Sequence, residues 1–167
     1  AELAAMQGLA GVTVQAVAAA AGVTKGGFFH HFPHKQALLD AVFDHFMAEN
    51  EQAIDRMMAA DDLASGCFTR AYISVAFDDI LQAEKSLSMP LSRSMMGSPE
   101  LCERWAAWLA GRLQRHHDTD SEPQHEVARL AADGAWLACS LGNSRGIRDP
   151  LTLKNYLLTL TREHHSP

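Results

Sequence analysis

Residues 12–35, VTVQAVAAAAGVTKGGFFHHFPHK, constrain the fold more than any other stretch of the chain. Val14, Val17, Ala18 and Ala21 recur at helical spacing. Gly22 follows, and glycine supplies the left-handed backbone that a sharp turn between two helices needs. Val23 is apolar and can pack that turn inward. Thr24 can start a new helix by accepting a backbone N–H bond. Phe28, Phe29 and Phe32 form the buried side of this second short helix, and Ala18 is small where the two helices must nearly touch. The spacing predicts a helix–turn–helix pair. Spacing alone also leaves open the lesser alternative of an ordinary hairpin in a core.

Two details point outward. Lys25, Gly26 and Gly27 fill the first turn of the second helix. Glycine weakens a helix, so the pair needs another reason, and close approach of the backbone to a phosphate is one. Residues 12–39 also contain no acid; Lys25, Lys35 and the histidines His30, His31 and His34 are the only ionisable side chains before Asp40. Such a segment suits the polyanionic surface of duplex DNA.

The elements Gly8, Val12-Thr13, Val17-Ala18, Ala21-Gly22-Val23, Thr24-Lys25-Gly26, His31-Phe32, Lys35 and Leu38 resemble the DNA-binding domain of the tetracycline-repressor (TetR) family. The resemblance covers the first 47 residues; the remainder matches only as an all-helical body. It implies a three-helix DNA-binding head at 1–47 and an effector-binding and dimerisation domain at 48–167. It further implies a homodimeric regulator of transcription, with double-stranded DNA (a palindromic operator) and a small-molecule effector as partners. On this resemblance Thr13 would touch phosphate. Thr24, Lys25, Gly27, Phe28 and His30 would face the groove, with Gly26 beside them. Phe29, His31 and Lys35 would sit at the phosphate backbone. Two positions depart from the family. A tyrosine that bonds phosphate usually stands where Phe29 does, and Ser or Thr often stands where Gly27 does. The family's first helix begins several residues before Ala1, so the head is expected to be truncated.

The formal net charge of −6 excludes a uniformly basic nucleic-acid binder. Charge must be segregated, and the acid-free head followed by an acidic body provides that. A hydrophobic share of 47% over 167 residues suffices for a core without disulfides. Cys67, Cys102 and Cys139 are widely spaced and odd in number, which points to buried thiols in a reducing compartment. No secretory signal occurs, and no apolar run approaches the ~18 residues of a membrane span. A cytoplasmic protein with no membrane partner is the expectation.

The rest of the chain reads as helices: 34–58 with Pro33 in its first turn, 67–84, 100–116, 124–145, and a last one after Asp149-Pro150. Breaks are expected at 59–66 and around Ser88–Pro99, with a polar link at 118–123. No strand alternation appears, so the fold class is all-α. Val127, Leu130, Gly134, Leu137 and Leu141, followed by Leu153, Tyr156, Leu157 and Leu160, form apolar stripes on the last two helices. Ala131, Gly134 and Ala138 would let another helix approach closely. These stripes are the candidate dimer interface, or they close the body's own core.

Met57, Met58, Cys67, Phe68, Tyr72, Phe77, Met89, Met95, Met96, Trp105, Trp108 and Trp136 are large, soft or aromatic and could line a pocket for an apolar or amphipathic effector. Taken singly each reads first as plain core, and it is the resemblance that implies a cavity for the group. Tyr72 and Trp136 could orient a ligand, and Arg93 could pair with an anionic group. None of the HExxH, GxxxxGK[ST] or GxGxxG motifs occurs. The adjacent pairs His116-His117 and His164-His165 read as solvated faces. Neither catalysis, metal nor cofactor is expected. Two other readings are a helical protein–protein module and a small helical enzyme using the Met/Trp pocket.

Overall fold

In the computed structural model, residues 13–82, 88–142 and 144–162 are described, and every regular element among them is helical. The helices are α1 (Val14–Ala20), α2 (Lys25–His31), α3 (Lys35–Ala59), α4 (Cys67–Leu81), α5 (Ser88–Met95), α6 (Pro99–Arg115), α7 (His117–Asp120), α8 (Pro123–Ser140) and α9 (Pro150–Leu160), with a 3-10 turn at Ser144–Gly146. Pro99, Pro123 and Pro150 each stand at the first helical position, where a missing N–H breaks no bond. The expected first helix and the His164-His165 pair fall outside the described residues.

Several boundaries differ from the sequence expectation. Pro33 lies outside α3, which starts at Lys35; His34 Nδ1 accepts the Ala37 N–H at 3.1 Å and so caps it. Residues 88–95 are helical although they read as a break. Pro90 falls within the first four residues of α5, whose N–H groups have no partner inside a helix in any case. The polar link at 118–123 is partly helical, and Asp120 is buried.

The chain divides into two compact units, Ala1–Glu49 with Leu87–Glu103, and Asn50–Ser86 with Arg104–Pro167. In the first, α1 packs on α2 through Ala18, and Leu38, Phe43, Met89, Met95 and Leu101 are buried. In the second, α4 is central. It packs against α7, α8 and α9, and α8 packs on α9. Phe68, Ala71, Tyr72, Ile73, Phe77 and Ile80 are buried along α4, and Ala128, Ala132 and Ala135 form the buried side of α8. Alanines there bring the α8 backbone close to α4.

Charged residues bind this second unit together. Arg70 donates to Asp61 Oδ2 at 2.6 Å and to the carbonyls of Leu63 (2.6 Å), Ser65 (2.7 Å) and Thr161 (3.4 Å). Asp120 accepts from Thr69 N–H at 2.7 Å and from Thr119 Oγ1 at 2.8 Å, and Arg129 donates to Thr69 Oγ1 at 2.5 Å. A buried charge is costly unless its polar atoms find partners; Arg70 is paired with Asp61, and Asp120 and Arg129 are hydrogen-bonded.

Candidate functional site

The turn between α1 and α2 is built by backbone bonds. Gly22 sits at φ +66°, its N–H donates to Ala19 O at 3.2 Å, and the Val23 N–H reaches Ala18 O at 2.9 Å. These two bonds and the left-handed glycine are the Schellman ending of a helix. Nothing crowds a Cβ at Gly22, so backbone conformation alone asks for glycine. Val23 is exposed, not packed into the turn, because the turn closes through the main chain. Thr13 and Thr24 cap α1 and α2. Their Oγ1 atoms accept from Ala16 N and Gly27 N, each at 3.1 Å. A capping hydroxyl accepts through a lone pair and keeps its own hydrogen available to a phosphate.

Along α2, Lys25, Gly26, Phe29, His30 and His31 are exposed, as are Thr13, Thr24 and Lys35. Phe28 is the exception. It is 3% exposed, with Phe32 at 5.5 Å and Phe29 edge-on at 5.7 Å, and so it holds the helix down instead of facing a groove. Phe29, expected on the buried side, is exposed, and the Lys25 ammonium lies 6.0 Å over its ring. A Cβ at Gly26 or Gly27 would make only ordinary contact with Thr24 Oγ1. The fold itself therefore does not require glycine at either position.

In the second unit, Ile54, Phe68, Ala71 and Tyr72 form a cluster against which Met57, Met58, Val75, Trp105, Trp108, Leu109 and Leu113 pack. Of the expected pocket residues, Met57, Met58, Phe68, Tyr72, Trp105 and Trp108 are brought together here. Phe77 is fully buried core on α4. Met89, Arg93 and Met96 belong to the other unit, and Arg93 and Met96 are exposed. Tyr72 and Trp136 are not available to orient a ligand. The Tyr72 hydroxyl donates to Asp133 Oδ1 at 2.6 Å, and Trp136 Nε1 donates to Asp79 Oδ2 at 3.4 Å. Burial and the Asp133 charge push the Tyr72 hydroxyl pKa far up, and burial raises Asp133 despite its bond to Tyr72.

Sequence reading missed Arg112 and His116. Arg112 donates to Asp55 Oδ1 at 2.6 Å and Glu51 Oε1 at 3.3 Å and lies over the Phe68 ring. His116 stacks on the same ring, 5.3 Å between centroids, so it is not a solvated histidine. Burial and the neighbouring Arg112 hold its pKa below the ordinary value. Their spacing of four from each other and from Trp108, across the end of α6, was the available signal. Cys102, expected to be buried, is exposed.

The outer face of α8 is apolar. Val127 is 57% exposed, Leu130 62% and Leu141 66%, with Leu137 and Gly134 exposed between them. On α9, Tyr156 and the unforeseen Leu151 are also exposed. Leu153 and Leu160 are half-buried. Leu157, at 3% exposure, closes the unit's own core and does not share that face.

Residues 66–162 match the family model described as tetracyclin repressor-like, C-terminal domain, and residues 1–42 match the one described as bacterial regulatory proteins, tetR family. The chain belongs to the TetR family. Neither a curated protein nor a solved structure matches it. Membership makes this TetR-family protein a DNA-binding regulator of transcription and gives α1 and α2 their role as the helix–turn–helix. No helix among the described residues is long and apolar enough to cross a membrane.

Proposed function

We propose that this TetR-family protein is a homodimeric repressor whose two heads read the half-sites of a palindromic operator, and that a small apolar or amphipathic effector bound in the second unit releases it. The observation that carries the reading is the outward face of α2. It combines exposed Lys25, His30 and His31, an acid-free flank and two capping threonines whose hydroxyls can still donate. The phosphate contacts are assigned to Thr13, Phe29, His31 and Lys35, and the groove contacts to Thr24, Lys25, Gly26, Gly27 and His30. Phe28 supports α2 from within.

A single seven-residue recognition helix reads few bases. Two on a twofold axis read half-sites about one helical turn or a multiple apart. The exposed face with Val127, Leu130, Gly134, Leu137, Leu141 and Tyr156 is the proposed dimer surface, with Leu153 and Leu160 at its edge. The cluster around Phe68 is the proposed effector site. Effector and operator then oppose each other, and by linkage each weakens the other's binding by the same factor.

Selection from random duplexes tests the DNA reading. The wild-type protein is expected to return a two-half-site motif, and Lys25→Ala or His30→Ala to change it, at ~1–3 kcal/mol per contacted base pair. If the wild-type protein enriched no motif at low ionic strength, the proposal would fall; an unchanged motif in both variants would remove the two side chains from base reading.

A further inference from the structure

Trp108 Nε1, Arg112 Nε and His116 Nε2 are buried nitrogen atoms with no hydrogen-bond partner. Trp108 and Arg112 stand four apart on one face of α6, and His116, the residue just past its end, keeps that spacing, its N–H bonded to the Arg112 carbonyl at 3.0 Å. All three belong to the same compact unit and meet the same aromatic surface. Trp108 packs on the Ile54–Phe68–Tyr72 cluster, the Arg112 guanidinium lies 5.3 Å over the Phe68 ring centre, and the His116 ring stacks on it within 9° of parallel.

The chemistry of these atoms defines what would complete them. An indole N–H and a guanidinium N–H only donate, so both call for an acceptor. A buried donor without one is destabilising, so a guest that brings an acceptor to these two N–H groups is favoured. Trp136 shows the contrast, since its N–H is already spent on Asp79. Charge then separates two kinds of acceptor. The single Arg112 charge already faces two carboxylates, Asp55 and Glu51. His116 is held toward its neutral form by burial and by Arg112. A third negative group would enter a surplus of negative charge, whereas a neutral carbonyl oxygen would not. Met57 and Met58 flank the cluster, and thioether side chains repack readily around a guest.

We propose that this face of α6 binds an uncharged, largely hydrocarbon molecule carrying a carbonyl acceptor, whose oxygen receives the Trp108 and Arg112 N–H groups while its apolar part lies against Phe68, Met58 and Trp105. The proposal rests on reading the second unit as the effector site and adds the chemical class of the effector.

Equilibrium dialysis of the full chain with three probes of one shape tests it: 2-acetonaphthone (a neutral ketone), 2-naphthoate (a carboxylate) and 2-ethylnaphthalene (no acceptor). The ketone is expected to bind at least tenfold more tightly than either of the others. Trp108→Phe keeps an aromatic ring but removes the N–H. It should weaken the ketone about tenfold and leave 2-ethylnaphthalene unchanged, whereas a purely structural role would weaken both alike. In the wild-type protein, one indole N–H resonance should move with the ketone and stay in place with 2-ethylnaphthalene. Equal affinities, tighter binding of 2-naphthoate, or no binding of any probe would overturn the proposal. A parallel gel shift separates it from the regulatory reading. Ketone binding with the expected preference but no effect on operator affinity supports the site and defeats its effector role. Intact operator binding with no ketone preference defeats the site alone.

Discussion

Gly22 and Gly66 both adopt positive φ, at +66° and +71°, yet their surroundings differ. A Cβ at Gly22 would meet nothing, whereas one at Gly66 would lie 2.8 Å from His125 Nε2, 2.9 Å from Arg70 Nη1 and 3.0 Å from the Thr161 carbonyl. Gly22→Ala should therefore show only the left-handed penalty, about 1–2 kcal/mol. Gly66→Ala should add the overpacking of a tight site, roughly 1–3 kcal/mol more. Denaturant unfolding compares them, and equal losses would mean that the contacts around Gly66 yield freely. Lys35, exposed at the start of α3, makes a different kind of prediction. If it meets a phosphate, Lys35→Ala weakens binding to every DNA sequence and lowers the salt slope by about 1. A titration across salt concentrations with an unchanged slope would remove it from the phosphate contacts.

Among elements, α4 has neighbours held by charge as well as by packing. Asp61, Arg70, Thr69, Asp120 and Arg129 tie its first turn to the preceding loop, to α7 and to α8, while Lys154 of α9 reaches Asp78 at 2.7 Å. Burial pushes the Asp61 carboxyl up, but hydrogen bonds from Arg70 and the Leu63 N–H, with the Arg70 charge, outweigh it and hold the pKa below the ordinary value. A carboxyl lowered by folding stabilises the folded chain above its unfolded pKa, and that contribution is lost as pH falls through the folded value. Wild-type stability should thus decline on acidification below about pH 4. Asp61→Asn should be less stable at pH 7 and decline less steeply over that range. Unfolding midpoints between pH 3 and 7 make the comparison, and parallel curves for the two proteins would detach Asp61 from the acid response.

For the whole molecule, the decisive feature is that α8 has two apolar faces and the described residues cover one. Its alanine side lies against α4, and its leucine side, with Leu130 at 62% exposure, faces outward. An apolar stripe of that kind marks an association surface. Leu130→Glu places a charge in it without touching the buried side. It should convert the protein to monomers in sedimentation and weaken operator binding at least tenfold, because one head loses its twin. A Leu130→Glu protein that stayed dimeric would move the dimer interface elsewhere.

The head was legible in the sequence because the forces that shape it act within a few residues. A glycine turn, two threonine caps, a small residue at the crossing and an apolar period each have a local signature, and together they define α1 and α2. The two-faced pattern of α8 was legible too, but periodicity does not say which face the chain covers itself. That was settled by the fit of alanines against α4. The sequence could not show that Asp120, Arg70, Arg129 and His116 are drawn inward. Charged residues read as surface until their partners are known. Thr69 lies 51 residues from Asp120 and 60 from Arg129, and His116 reaches Phe68 across α6 and α4. Such pairings carry no local pattern, so only the packed tertiary structure decides which polar groups are buried, which are satisfied, and which are left without a partner.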